Sequence, residues 1–145
     1  MAKKFELTAE FVTNIFGKKF FRIKALMAFG DVKEGELGGY LEKEENLDHD
    51  GDAWVSGDAR VYGDADYATI QGFGRKSRAT TFFRLKSGEI GVRCGCFYGT
   101  IEQFREKVQK THRDSKYAKE YLMIADLMEL HFEHEEEKGG GIDGD

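Results

Sequence analysis

The chain has 145 residues, of which 40% are hydrophobic and 13% aromatic, so its composition excludes a wholly disordered protein and predicts one domain with one core. Its formal net charge of −5 argues against general binding of long nucleic acids. Met1-Ala2-Lys3-Lys4 is followed by alternating rather than continuously apolar sequence, which predicts neither a signal peptide nor a membrane-spanning helix. The two cysteines are one residue apart, which disfavours a disulfide framework and favours the cytosol.

Charge is distributed unevenly along the chain. Residues 31–66 contain 12 acidic and 3 basic residues, whereas residues 72–93 contain 6 basic residues and one acidic residue, Glu89. A local basic patch on an acidic protein suits a small anionic ligand better than a long polyanion.

Residues 4–29 have the pattern of a β-hairpin. Apolar and polar residues alternate over 5–10 and again over 21–25, and a turn around Gly17 separates the two segments. The charged segment 30–46 that follows is interpreted as a connector.

Three near-identical hexapeptides, each beginning Gly-Asp-Ala, occupy residues 51–56, 57–62 and 63–68, and a weaker fourth precedes them at 45–50. A period of six is typical of a parallel β-helix, in which the Ala and Val positions point inwards and Gly-Asp turns the corner. Four hexads make little more than one three-sided coil, and repeat proteins need about three stacked units to bury a core. The segment is therefore predicted to stack on the rest of the domain, on another copy, or on both.

A second hairpin is predicted from residues 80–85 and 90–97, after a glycine-punctuated loop at 72–77. Thr100 and Gln103 form a capping-box pattern at the start of a first helix. A second helix is predicted over about residues 115–134, with an apolar stripe formed by Ala118, Tyr121, Leu122, Ala125, Met128 and Phe132.

The predicted fold class is therefore α+β: an N-terminal β-hairpin, a short hexapeptide β-solenoid-like segment, a second β-hairpin and two C-terminal α-helices. Residues 1–138 are predicted to form a single domain, and residues 139–145 a disordered tail.

Catalytic and metal-binding patterns are missing from the sequence. Cys94 and Cys96 would share a strand face, but His112, His131 and His134 lie at no metal-ligand spacing from them, so two small buried side chains are the preferred interpretation. The Asp at each hexad corner is interpreted as a turn residue rather than a calcium ligand. With no nucleophile–histidine arrangement, P-loop or dinucleotide fingerprint, the chain is predicted not to be an enzyme and to use no cofactor or metal.

The strongest candidate for ligand binding is the basic, aromatic strand of the second predicted hairpin. Phe82 and Arg84 would share one face of this strand and Phe83 the other, with Arg93 opposite or diagonal to them, and Lys110 would add positive charge from the first helix. An aromatic ring beside guanidinium groups offers a nucleotide a π-face for its base and forked donors for its phosphates. The alternative interpretation is a half-buried strand with one core Phe and solvated arginines.

A series of motifs spans residues 20–132: the hexapeptides, and Phe21-Arg22-Ile23-Lys24-Ala25-Leu26, Gly30-Asp31-Val32, Leu37-Gly38-Gly39-Tyr40, Glu44-Glu45-Asn46-Leu47, Gly72-Phe73-Gly74, Thr81-Phe82-Phe83-Arg84, Cys94-Gly95-Cys96-Phe97 and Asp114-Ser115-Lys116-Tyr117-Ala118-Lys119-Glu120-Tyr121. Together they resemble a widespread family of small phage and prophage proteins that carry variable numbers of Gly-Asp/Asn-Ala hexads. Arg93 and Arg113 stand where this family usually has Asn and Gly.

Among such proteins the chain is most similar to the Thoeris anti-defence sponge proteins. These oligomeric phage proteins bind cyclic ADP-ribose isomers made by bacterial TIR enzymes without cleaving them, and some also bind cyclic oligonucleotides. The resemblance implies a small cyclic nucleotide ligand, a homo-oligomer (dimer or hexamer), no long nucleic acid, no membrane and a location in the host cytoplasm. The residues predicted to bind the ligand are Phe82, Phe83, Arg84, Arg93, Lys110 and Arg22.

Two further hypotheses belong to other functional classes. A phage inhibitor could block a host defence protein through the acidic face at residues 31–66. An enzyme that degrades a cyclic nucleotide is disfavoured, because a nuclease of this size would need a metal cluster or paired histidines at suitable spacing.

Overall fold

The structure, a computed structural model, describes residues 3–61, 66–74, 78–95 and 97–133. These residues form two four-stranded sheets and two α-helices, which confirms the α+β class. The predicted disordered tail at 139–145 lies outside the described residues, and the predicted single domain stays a prediction.

The first sheet contains four strands in chain order: β1 (Phe5–Thr13), β2 (Lys19–Ala25), β3 (Leu37–Leu41) and β4 (Arg60–Val61). β1 and β2 are antiparallel and form the predicted N-terminal hairpin. At its turn the Asn14 side chain accepts hydrogen bonds from the backbone N–H groups of Phe16 and Lys18, at 2.9 and 3.0 Å. An Asx turn of this kind fixes the hairpin locally, which explains why the sequence pattern was sufficient to predict it.

β3 lies inside the segment interpreted as a connector, so that interpretation is wrong for residues 37–41. A Cβ at Gly38 would lie only 2.7 Å from Trp54 Cζ2 and 2.8 Å from Ile23 Cγ1. The indole therefore packs directly on the β3 backbone, a contact that only Gly permits. Two glycines in a five-residue strand erase the side-chain alternation by which a strand is recognised.

The hexapeptide segment places its Ala and Val positions in the core. Ala53, Val55, Ala59 and Val61 are all buried, as the inward positions of the repeat predict. Trp54, which the repeat would place outside, is also buried. Among the described residues of this segment, β4 is a strand parallel to β3, and Tyr67 and Ala68 at the end of the third hexad begin the next strand. Residues 62–65, which include the first half of the third hexad, lie outside the described residues, and the solenoid stays a prediction.

The second sheet also contains four strands in chain order: β5 (Tyr67–Phe73), β6 (Arg78–Arg84), β7 (Ile90–Cys94) and β8 (Phe97–Thr100). β6 and β7 form the predicted second hairpin, with Phe82 opposite Val92. β5 and β8 flank this hairpin, and neither was predicted. The loop predicted at 72–77 therefore begins inside β5, and residues 75–77 lie outside the described residues.

Two helices follow, α1 (Ile101–His112) and α2 (Lys116–His131). The predicted capping box is confirmed: the Thr100 hydroxyl accepts a hydrogen bond from the Gln103 N–H, and the Gln103 side chain accepts one from the Thr100 N–H. Five of the six residues of the predicted α2 stripe are buried and the sixth, Leu122, packs against them. α2 ends at His131, and His134 lies outside the described residues.

β6 separates two hydrophobic cores. Phe83 packs into the first core, with side chains of the first sheet and the hexapeptide segment. Phe82 packs into the second core, between the second sheet and the helices. The ring centroids of Phe82 and Phe104 are 5.8 Å apart, in an edge-to-face arrangement. Both faces of β6 are thus covered, and each Phe anchors a different layer.

A buried lysine connects the N-terminus to the hexapeptide segment. Lys4 is 2% exposed, and its ammonium group donates hydrogen bonds to the backbone carbonyls of Ala53, at 2.8 Å, and Gly51, at 3.3 Å. Desolvation by burial lowers the pKa of Lys4 to about 8, although the nearby carboxylates of Asp52, Asp48 and Asp50 oppose the shift.

We expect the pH dependence of unfolding to report this lysine. Because the folded-state pKa of Lys4 lies below the unfolded value, the unfolded chain binds more protons between about pH 8 and pH 10.5, and this lysine's contribution to stability rises with pH across that window. Urea denaturation of the natural chain and of Lys4→Met, compared between about pH 7.5 and pH 10, should show the natural chain gaining stability relative to the variant. Parallel curves for the two proteins would contradict the lowered pKa.

Candidate functional site

The six residues predicted to bind a ligand do not meet in one pocket. Arg22 lies on β2, in a row with Tyr40 of β3 and Arg60 of β4. Its guanidinium donates hydrogen bonds to Glu10 Oε2 at 2.9 Å, to the Gly38 carbonyl at 3.0 Å and to the Tyr40 hydroxyl at 2.6 Å. All three nitrogens of Arg22 are thus engaged in holding the first sheet together.

Arg93 connects the two sheets. It lies opposite Thr81, on the face of β7 directed towards the first core, and donates to Glu36 Oε2 at 2.6 Å and to the Gly95 carbonyl at 2.7 Å. Burial raises the pKa of Glu36, but the hydrogen bonds from Arg93 and from the Lys33 backbone outweigh it, so the net pKa is below the usual value. Arg93 therefore has a carboxylate partner from a segment 57 residues away.

Arg84 and Lys110 lie on the helix side of the second sheet. The Arg84 guanidinium lies 3.4 Å from Asp66 Oδ1 and 5.2 Å from the centre of the Phe132 ring. Lys110 is exposed on α1. The structure thus places Arg84 and Arg93 on opposite faces of the second sheet and Arg22 on the first.

Phe82 and Phe83 are both 0% exposed. A ring without exposed surface presents no face on which a base could stack, so in this conformation both side chains serve packing. Of the two interpretations of this strand, the core interpretation fits the packing of both rings.

A cleft between α1 and α2 brings charged and apolar side chains together around one open space, which the six predicted ligand-binding residues do not do. It has a volume of about 220 Å³ and lies between the last turn of α1 and the first two turns of α2. The residues lining it are Gln109, Arg113, Asp114, Ala118, Lys119 and Leu122. At roughly 30 Å³ per water molecule, this space holds about seven waters, or one phosphate group with part of a sugar.

The turn between the helices positions the cationic side of this cleft. The Arg113 N–H donates to the Gln109 carbonyl at 2.9 Å and the Ser115 N–H to the His112 carbonyl at 3.0 Å, which closes the end of α1. The Ser115 hydroxyl then accepts from the Ala118 N–H at 3.3 Å and begins α2. Only one residue, Asp114, separates the cation at the end of α1 from the cap of α2.

Arg113 has a backbone conformation that side-chain-bearing residues avoid. Its φ is +53° and its ψ is −118°, and it is the only non-glycine residue with positive φ in the described part of the chain. Glycine is the residue expected just past a helix C-terminus in such a conformation. A strain of about 1–3 kcal/mol is typical of non-glycine residues held in sparsely populated regions, which cluster at functional sites.

The lining of the cleft combines charge with an apolar surface. Arg113 and Lys119 supply two cations against the single carboxylate of Asp114, and the Gln109 amide can donate or accept. Leu122 provides apolar surface, and the buried Ala118 lies beneath it. Such a lining suits a small anion that carries an apolar or ring-shaped part. The only sequence signal for it was the arginine where the resembled family usually has Gly.

Metal ligation and a membrane-spanning helix are not found in the part of the chain that the structure describes. Cys94 accepts a hydrogen bond from the Thr80 hydroxyl at 3.2 Å, and Cys96 lies outside the described residues. The described residues contain no group of three or more His, Cys, Asp or Glu that could hold a metal ion. Neither α1 nor α2 has the length and apolar composition needed to cross a membrane.

The chain was compared with protein-family models, curated proteins and solved structures. None of the three comparisons found a match.

Proposed function

We propose that this chain binds and retains a small cyclic nucleotide, without cleaving it, by holding one of its phosphate groups and part of the adjoining sugar in the cleft between α1 and α2. In this proposal the chain acts as a phage anti-defence protein. It sequesters a cyclic nucleotide immune signal in the host cytoplasm. The ligand class is a cyclic ADP-ribose isomer or a cyclic oligonucleotide. Arg113 and Lys119 bind the phosphate, and Leu122 contacts the sugar.

The observation that carries this proposal is the strained Arg113 at the rim of a cationic cleft. A glycine would close the same turn at lower cost, so the guanidinium is placed there against the backbone's preference. Among the described residues that line the cleft, none forms a nucleophile–base pair, which supports retention rather than turnover.

The binding test uses titration calorimetry with a cyclic ADP-ribose isomer and with a cyclic oligonucleotide. We expect Lys119→Ala to weaken binding by about tenfold to a hundredfold, because a charge-assisted hydrogen bond contributes about 1.5–3 kcal/mol. The matched control is Lys116→Ala, which removes the same charge from an exposed position of α2 that does not line the cleft.

Two results would overturn the proposal. One is the absence of binding with either ligand class, and the other is equal loss of affinity in Lys119→Ala and Lys116→Ala. Ligand released by boiling and analysed by mass spectrometry should be intact, because cleaved ligand would indicate an enzyme.

The alternative function, inhibition of a host defence protein through the acidic face, has weaker support. Among its described residues four carboxylates form ion pairs with lysine or arginine within the chain: Glu36 with Arg93, Glu42 with Lys18, Glu44 with Lys3 and Asp66 with Arg84. These pairs reduce the charge that the segment presents to a partner. A protein partner recovered in one-to-one amount with a chain that binds no nucleotide would favour this alternative.

A further inference from the structure

Positive charge is concentrated where the cleft lies. Residues 110–120, which include the turn between the helices and the start of α2, contain four Lys or Arg residues and two acidic residues, a net charge of +2. Residues 121–133, the rest of α2 and the two residues after it, contain three acidic residues and no Lys or Arg. Arg105 of α1 binds two of these acids, since it donates to Asp126 Oδ1 at 2.8 Å and also bonds Glu129. An anion near α2 is therefore attracted to the cleft rather than to the other end of the helix.

The two cations that line the cleft have no anionic partner within the part of the chain that the structure describes. Arg113 and Lys119 form no ion pair and no side-chain hydrogen bond among those residues, and Asp114, which also lines the cleft, pairs with neither. Other cations of the chain do bind a carboxylate: Lys3, Lys18, Arg22, Arg84, Arg93 and Arg105. The cations of the cleft are thus left for an anion that approaches from outside α1 and α2.

A segment of complementary chemistry follows α2 in the sequence. Residues 142–145 are Ile-Asp-Gly-Asp, and they follow three consecutive glycines at 139–141. These residues lie outside the described part of the chain. Their two carboxylates match the two cations of the cleft, and their Ile side chain matches the apolar surface of Leu122.

We propose that residues 142–145 bind in the cleft between α1 and α2 and compete there with the nucleotide. Asp143 and Asp145 pair with Arg113 and Lys119, and Ile142 contacts the apolar side of the cleft. The contact itself requires no nucleotide, whereas the competition rests on the proposed function.

The length of chain after α2 permits this contact. Lys119 lies about 18 Å from the end of α2, because 12 residues at about 1.5 Å each separate it from His131. Asp143 follows Glu133, the last described residue, by ten residues, which span at most about 36 Å. A flexible linker of ten residues has an r.m.s. end-to-end distance of about 17 Å, which is close to the distance required.

The acidic residues nearer to α2 cannot make the same contact. Glu135 and Glu136 follow Glu133 by two and three residues, which span at most about 7 and 11 Å. Both distances are shorter than the path back to Lys119. These two acids therefore provide a control of equal charge on the same segment.

The contact is weak but tethered, which sets its expected strength. Ion pairs between exposed side chains contribute little individually. A short linker, however, gives the linked group an effective concentration of about a millimolar at its site. Residues 142–145 therefore occupy the cleft for part of the time, and we expect them to lower the apparent affinity for a nucleotide by about threefold.

The test without ligand compares backbone amide NMR spectra of the full natural chain and of the double variant Asp143→Asn/Asp145→Asn. We expect the amide signals of residues 113–119 to shift between the two proteins at low ionic strength. The difference should disappear in about 0.5 M NaCl, because salt screens exposed charges. The matched control, Glu135→Gln/Glu136→Gln, removes the same charge and should leave the signals of residues 113–119 unchanged.

Titration calorimetry with a cyclic nucleotide tests the competition. The Asp143→Asn/Asp145→Asn variant should bind about threefold more tightly than the natural chain, and the control variant should bind as the natural chain does. Unchanged signals at residues 113–119, or equal shifts in both double variants, would overturn the proposal. Shifted signals with unchanged nucleotide affinity would overturn the competition. Shifted signals in a chain that binds no nucleotide would overturn the proposed function alone.

Discussion

Phe83→Ala should lower the free energy of unfolding by about 3–5 kcal/mol, the range typical of truncating a buried Phe. Phe83 has no exposed surface and packs in the first core with side chains of both sheets. Its ring stacks against Tyr98 with centroids 6.2 Å apart. Because native domains are stable by only about 5–15 kcal/mol, this one truncation would remove a large part of the total.

Urea denaturation followed by circular dichroism measures the effect, with Phe16→Ala as the control. Phe16 is 85% exposed, so its truncation should change the unfolding free energy by less than about 0.5 kcal/mol. The result also decides how a loss of ligand by Phe83→Ala should be interpreted. If the variant unfolded at the same urea concentration as the natural chain yet bound no nucleotide, Phe83 would contact the ligand. Its assignment to the core would then be wrong.

Local patterns predicted the elements that local contacts stabilise. The first hairpin depends on alternation and an Asn14 turn, and α1 depends on the Thr100–Gln103 capping box; both follow from residues close in sequence. β3 and β5 were missed for a different reason. β3 carries two glycines beneath Trp54, and β5 is recognised as a strand only through its pairing with β6.

The strand predicted to bind a ligand, β6, is internal because a hydrophobic core covers each of its faces. A two-stranded hairpin would leave one face of β6 open to ligand, so the sequence favoured exposed Phe and Arg side chains. With β5 at its side and a core on each face, β6 is internal instead. The ion-pair partners of the arginines could not be predicted either. Side-chain alternation gives the strand face on which Arg93 lies but not its contact with Glu36. A cleft between two helices depends on how the helices pack together, which the periodicity of the sequence does not show.

Arg113→Gly should stabilise the fold and weaken ligand binding at the same time. Relief of the positive-φ conformation is worth about 1–3 kcal/mol, and the greater flexibility of Gly in the unfolded chain offsets roughly 0.5–1 kcal/mol of it, so a net gain of about 1 kcal/mol is expected. The same change removes one of the two cations that line the cleft. Affinity for a cyclic nucleotide should fall by about tenfold or more.

Arg113→Ala separates the two effects, because it removes the guanidinium but keeps the β-carbon that causes the strain. It should lose as much affinity as Arg113→Gly and gain little or no stability, as measured by thermal unfolding and titration calorimetry on the same preparations. Equal stability of the Gly and Ala variants would show that the turn is not strained. Full affinity in both variants would show that Arg113 does not contact the ligand and that its backbone conformation has no role in binding. A more stable variant that has lost its ligand would instead show that this chain retains an arginine in a glycine position for binding, at a cost in stability.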